Sequence, residues 1–71
     1  MTAIAFWTSR GGKWTAVLYR DTDSYRLSER KNGVEVGASY RPAATFKDSE
    51  AAIAYYHAFV INGHDVPMER A

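Results

Sequence analysis

Two histidines, His57 and His64, stand seven positions apart with Asp65 beside the second, and they are the residues whose types most readily suggest metal chemistry. A metal site needs three or four convergent ligands, which a helix and its frayed end rarely supply, so both are assigned structural or solvent-facing roles. Ser24, Ser28, Ser39 and Ser49 could serve nucleophilic catalysis only beside a base and an oxyanion site, and none lies in a nucleophile elbow. Turn, strand-surface and capping roles account for them. Arg10-Gly11-Gly12-Lys13 invites a phosphate, yet it lacks the spacing of a P-loop and opens a strand instead of a helix. Glu29 and Glu35 approach one another across a hairpin with Arg30 and Lys31, where cross-strand ion pairs explain them better than acid–base catalysis. The expectation is a protein that is not an enzyme and uses no cofactor, metal or small-molecule substrate.

The remaining chemistry is aromatic and cationic. Trp7, Trp14, Tyr19 and Tyr25 are too many for one helix to bury, and Arg20, Arg26, Arg30 and Arg41 lie on or beside the same strands. Tyrosine and arginine combine large contact area with directed hydrogen bonds, and for that reason they carry binding energy at interfaces. The plainer alternative is an amphipathic sheet whose arginines only keep an edge soluble.

The elements that must hold these residues are legible in the alternation of the chain. Ala3 to Thr8, Lys13 to Arg20, Tyr25 to Arg30 and Val34 to about Tyr40 read as strands with a period of two. They are parted by Ser9-Arg10-Gly11-Gly12, by Asp21-Thr22-Asp23-Ser24 and by Asn32-Gly33, the last a strong signal for a two-residue hairpin turn. Pro42 removes a ladder donor, so Arg41 to Ala44 is read as a bulge, an edge or a short excursion. Asp48 then caps a helix that runs to about Asn62, with Glu50 in its first turn and a left-handed stop at Asn62-Gly63. Ala52, Ile53, Tyr56, Phe59 and Val60 form its core stripe.

The fold class expected is α+β, an antiparallel sheet of three to four strands with one C-terminal α-helix packed on one face. Seventy-one residues leave room for one domain, placed at 1–66, with 67–71 as a tail. A content of 46% hydrophobic and 14% aromatic residues suits a packed core, and the formal charge of +1 confines any basic surface to a local patch. There is no cysteine, hence no disulfide framework and no thiolate chemistry. No apolar run approaches the roughly 20 residues of a spanning helix, and no signal-peptide pattern opens the chain, so a soluble, cytosolic protein away from membranes is expected.

Two family resemblances bear on the partner. The opening Met1-Thr2-Ala3-Ile4-Ala5-Phe6-Trp7, the segment Ala16-Val17-Leu18-Tyr19, the hairpin Asn32-Gly33-Val34-Glu35-Val36-Gly37-Ala38 and the helix start Asp48-Ser49-Glu50 together resemble small phage-encoded anti-CRISPR proteins of the type I-F class. That resemblance implies a stoichiometric inhibitor whose sheet docks on a large ribonucleoprotein, the CRISPR surveillance complex, and hinders pairing of guide with target DNA. It places partner contacts at Phe6, Tyr19 and the Ser28-Glu29 region, to which the sheet decoration adds Tyr25, Arg20, Arg26 and Arg30. The second resemblance, carried by Gly12-Lys13-Trp14-Thr15-Ala16-Val17 and by Thr45 to Tyr56, is to the sheet-plus-helix DNA-binding domains of the AP2 and integrase arm-binding type. It implies duplex DNA as the alternative partner, with Arg10, Arg20, Arg26 and Arg30 at phosphates and base edges, against which Asp21, Asp23, Glu29 and Glu35 would act.

Overall fold

Turns built on Gly11-Gly12, Asp21-Thr22-Asp23 and Asn32-Gly33 separate four antiparallel strands, and the computed structural model describes them together with the rest of residues 1–71. These are β1 (Thr2–Ser9), β2 (Trp14–Arg20), β3 (Ser24–Lys31) and β4 (Val34–Pro42). The β3–β4 turn is made by Asn32 (φ 52°) and Gly33 (φ 82°), both in the left-handed region that a two-residue hairpin demands. A 3-10 turn, Ala43–Thr45, leads to the helix α1 (Ser49–Gly63).

Two features depart from expectation. Residues 67–71 are no tail, because Met68–Arg70 form a fifth strand, β5, antiparallel to β1. The sheet order is β4-β3-β2-β1-β5, and Ala71 N–H extends the new ladder by donating to Phe6 O at 2.9 Å. Pro67 breaks the chain after the helix, and three residues suffice to pair with an edge that otherwise exposes its amides. The helix end uses no left-handed glycine either: Gly63 is the last helical residue, and the chain leaves through an extended His64 (φ −122°, ψ 145°). Arg41 and Pro42 complete β4, which is an edge strand as one of the three readings of that stretch had it, and Pro42 sits opposite Ser24.

The helix starts at Asp48, whose side chain accepts a hydrogen bond from Ala51 N–H at 2.9 Å. It packs chiefly on β1, β2 and β5. Ala52, Tyr56 and Val60 enter the core with Ala5, Trp7, Ala16, Leu18, Tyr25, Leu27 and Met68, and Ile53 packs against them in part. Phe59 leaves the expected stripe and is 44% exposed. Because α1 lies over the β1–β2–β5 half of the sheet, the flank carrying Tyr55 and Phe59 overhangs the thinly covered β3–β4 half. Tyr56 fills the centre, with a hydroxyl that makes no hydrogen bond of ordinary geometry, and burial pushes its pKa up.

This division of the apolar residues sets a stability test. Leu27→Ala, at a fully buried position, is expected to cost about 2 to 5 kcal/mol by urea unfolding. Phe59→Ala is expected to stay within about 1 kcal/mol of the parent, since half-exposed side chains leave little cavity. Equal losses in the two variants would contradict the helix placement.

Candidate docking face of the sheet

Alternation along the strands sends every second residue away from the helix, and register determines which of these become neighbours. Tyr19 is opposite Arg26, which is in turn opposite Tyr40; Phe6 is opposite Val17, Val17 opposite Ser28, and Ser28 opposite Ala38. Thr15, Arg30 and Glu35 form the next row. Phe6 and Tyr40 are 39% and 61% exposed, while Val17, Tyr19, Arg26 and Arg30 are half-buried among their neighbours.

A hydrogen-bond network orders the polar part of this face. Ser28 Oγ and Arg26 Nη2 both donate to Glu35 Oε1 at 2.6 Å. Arg26 Nε donates to Tyr40 Oη at 3.0 Å, and the guanidinium lies 5.7 Å from the Tyr40 ring centroid. Arg30 reaches Ser28 Oγ at 3.4 Å and Tyr19 Oη at 3.5 Å, both long contacts. The Ser28 hydroxyl and the Arg26 guanidinium hold the Glu35 carboxyl below its ordinary pKa. Bonds to Tyr40 and Glu35 raise that of Arg26. The charge of Arg26 is thereby paired, and Arg30 is left as the cation of the face without a carboxylate at ion-pair distance.

The sequence expectation divides into two sets. Phe6, Tyr19, Arg26 and Arg30 come together on the helix-free face. Tyr25, Arg20 and Glu29 do not, because strand parity turns all three to the helix side. Tyr25 is only 3% exposed, edge-on to Phe46 with its hydroxyl 3.1 Å from Ser49 Oγ, so it is a core residue and not a contact for a partner. Arg20 lies 4.9 Å from the Tyr25 ring centroid and donates to the carbonyls of Asp21, Thr22 and Ser24, so it closes the β2–β3 loop. Glu29 Oε2 lies 3.0 Å from His64 Nε2, beneath the end of α1. The aromatic inventory also shifts, since Trp7 is fully buried and donates its indole N–H to His57 Nδ1 at 2.9 Å. His57 is therefore an acceptor for a core tryptophan. Trp14 stays half-buried, between Lys31 and His64.

Tyr40 and the anchoring of Glu35 were missed. Counting outward from the Asn32-Gly33 turn pairs Lys31 with Val34 and Arg30 with Glu35, but Val36 is an extra residue, and Glu29 then pairs with Gly37. Without that bulge Arg26 would oppose Ser39 instead of Tyr40. The available signal was Glu35 itself, a carboxylate in a strand otherwise rich in apolar and small residues.

No family model, no curated protein and no solved structure matches the chain. No helix is long and apolar enough to cross a membrane.

The Glu35 anchor predicts a pH response. Its lowered pKa means that its contribution to the folded state is fully present above the pKa of an unfolded glutamate and is lost as pH falls through the folded value. A carbon-detected NMR titration is expected to place the Glu35 midpoint below that of an unfolded glutamate, and Ser28→Ala is expected to move it upward. A Glu35 midpoint unmoved by Ser28→Ala would contradict the anchor.

Proposed function

We propose that this chain is a non-enzymatic binding protein that docks its helix-free sheet face on a large protein or ribonucleoprotein assembly. The assembly suggested by the type I-F resemblance is a type I CRISPR surveillance complex, with loss of target DNA recognition as the consequence. The observation that carries the reading is the ordered row Tyr19–Arg26–Tyr40, with Phe6 and Val17 beside it and Arg30 without a carboxylate partner. Aromatic rings and guanidinium groups held in place before binding lose little rotamer freedom on docking, which is the property of an interface hot spot.

The composition of the face favours a protein surface over a duplex. Duplex binding gains its affinity from phosphate neutralisation and scales with the number of free cations. Here Glu35 engages Arg26, while Arg20 serves its own loop. A partner that offers a carboxylate or a carbonyl cluster to Arg30, and an apolar shelf to Phe6 and Val17, matches the face better than a phosphate backbone does.

Co-purification with candidate type I complexes, paired with a target-DNA shift assay, is the test. Capture that persists at moderate salt and abolishes target binding is expected. Tyr19→Ala, folded as judged by circular dichroism, is expected to weaken capture by about 1 to 3 kcal/mol. Duplex binding by the free protein, falling by orders of magnitude as salt rises, would replace the proposal with the DNA-binding reading.

A further inference from the structure

The turn between β1 and β2 holds two cations and a buried hydroxyl in one place. Gly11 (φ 84°) and Gly12 (φ 76°) both adopt the left-handed region, and Gly12 N–H donates to Ser9 O at 2.9 Å, so the turn folds back on the end of β1. This closure brings Trp14 N–H to Ser9 Oγ, which accepts its hydrogen bond at 3.0 Å. Ser9 is only 6% exposed, and its own hydroxyl proton is donated to no acceptor in the protein. A buried donor left in that state costs free energy until something accepts from it.

A hollow of about 270 Å³ opens at this point, lined by Ser9, Arg10, Lys13, Trp14, Val66 and Pro67. Half of that lining is apolar, with the half-buried Trp14 ring as its largest member. Arg10 and Lys13 are exposed, and the two ion pairs of the molecule, Arg26 with Glu35 and His64 with Glu29, involve neither. Lys31 adds a third cation, its Nζ 5.3 Å from the Trp14 ring centroid. Asp65 and Glu69 line adjoining hollows instead of this one, beyond ion-pair distance of Arg10 and Lys13.

We propose that this hollow binds a small organic oxyanion, a carboxylate or a phosphate ester carried on a planar apolar body. The oxyanion takes the Ser9 proton and lies between the Arg10 guanidinium and the Lys13 ammonium, whose charge-assisted bonds are the strong ones available here. The body lies against Trp14, Val66 and Pro67. A volume just under that of sites for drug-sized ligands limits the body to about one ring. Arg10-Gly11-Gly12-Lys13 thus acts as a hairpin turn that presents its flanking cations, without the helix N-terminus on which a P-loop depends. Trp14 shares strand parity with the buried Ala16 and Leu18, so the hollow is on the helix side of the sheet. This inference and the docking reading therefore stand or fall separately.

Amide and indole NMR shifts at low ionic strength test it, with benzoate, phenyl phosphate, inorganic phosphate and benzyl alcohol as probes. Benzoate or phenyl phosphate is expected to shift the Trp14 indole and the Lys13 amide saturably, with a dissociation constant of about 1 mM or below. The tighter of the two identifies the oxyanion. Inorganic phosphate has no body to set against Trp14 and is expected to bind at least about tenfold more weakly, and uncharged benzyl alcohol to give no saturable shift. The fully buried Trp7 indole is the internal reference and is expected to stay in place. Arg10→Gln combined with Lys13→Gln changes only exposed turn residues, so the circular dichroism spectrum is expected to hold while the aryl anion binds at least about tenfold more weakly. The proposal would be overturned by the absence of a saturable Trp14 shift with both aryl anions, by undiminished affinity in the double variant, or by inorganic phosphate or benzyl alcohol binding as tightly as the aryl anions.

Discussion

A single helix can shield only one face of a sheet, and the side that α1 takes governs the rest of this molecule. Trp7, Leu18, Tyr25 and Leu27 point toward it and are buried, with Ala52, Tyr56 and Val60 closing over them. The opposite face must then survive in water without a second layer. It does so by covering its centre with its own polar side chains: Ser28 lies on that face yet has no exposed surface, bonded to Glu35 and approached by Arg30. Polar groups close to one another in this way satisfy each other's hydrogen bonds and keep the surface from reading as a bare apolar patch.

That solution also fixes the electrostatics of the face. A carboxylate shared between a hydroxyl and a guanidinium holds Arg26 against Tyr40, so the aromatic ring and the cation are presented as a unit. Exposed ion pairs contribute little to stability. Their effect here is to restrict side-chain freedom, which under the proposed docking would lower the entropy lost on association. The histidines are drawn into the opposite layer, where His57 accepts from Trp7 and His64 stands beside Glu29 and Trp14.

Much of this was written in the period-two alternation of the first half of the chain. The strand positions, the Asn32-Gly33 turn, the Asp48 cap and the separation of sheet from helix all depend on local backbone preferences, and local preferences are visible in sequence. The faces were harder. Alternation sorts each strand into two faces, but the register that sets Tyr19 and Tyr25 on opposite sides of the sheet, and the side the helix takes, lie outside it, so sequence alone groups Tyr25, Arg20 and Glu29 with residues they never meet. The Val36 bulge shifts β4 by one position, and β5 exists only because an amide-bearing edge of β1 lies within reach of Met68–Arg70. Both are tertiary facts. Phe59 shows the same limit, since its helical spacing matches the core stripe while the lateral placement of α1 leaves it exposed.

The central claim, that the partner meets the helix-free face, is tested most directly by hydroxyl-radical footprinting of the aromatic side chains, with and without a captured type I complex. The two faces carry separate reporters, Phe6, Tyr19 and Tyr40 on one and Tyr55 and Phe59 on the other. The account predicts that labelling falls at Phe6, Tyr19 and Tyr40 on binding and is unchanged at Tyr55 and Phe59. Protection of Tyr55 and Phe59 with the sheet reporters still labelled would contradict it and move the interface to the helix.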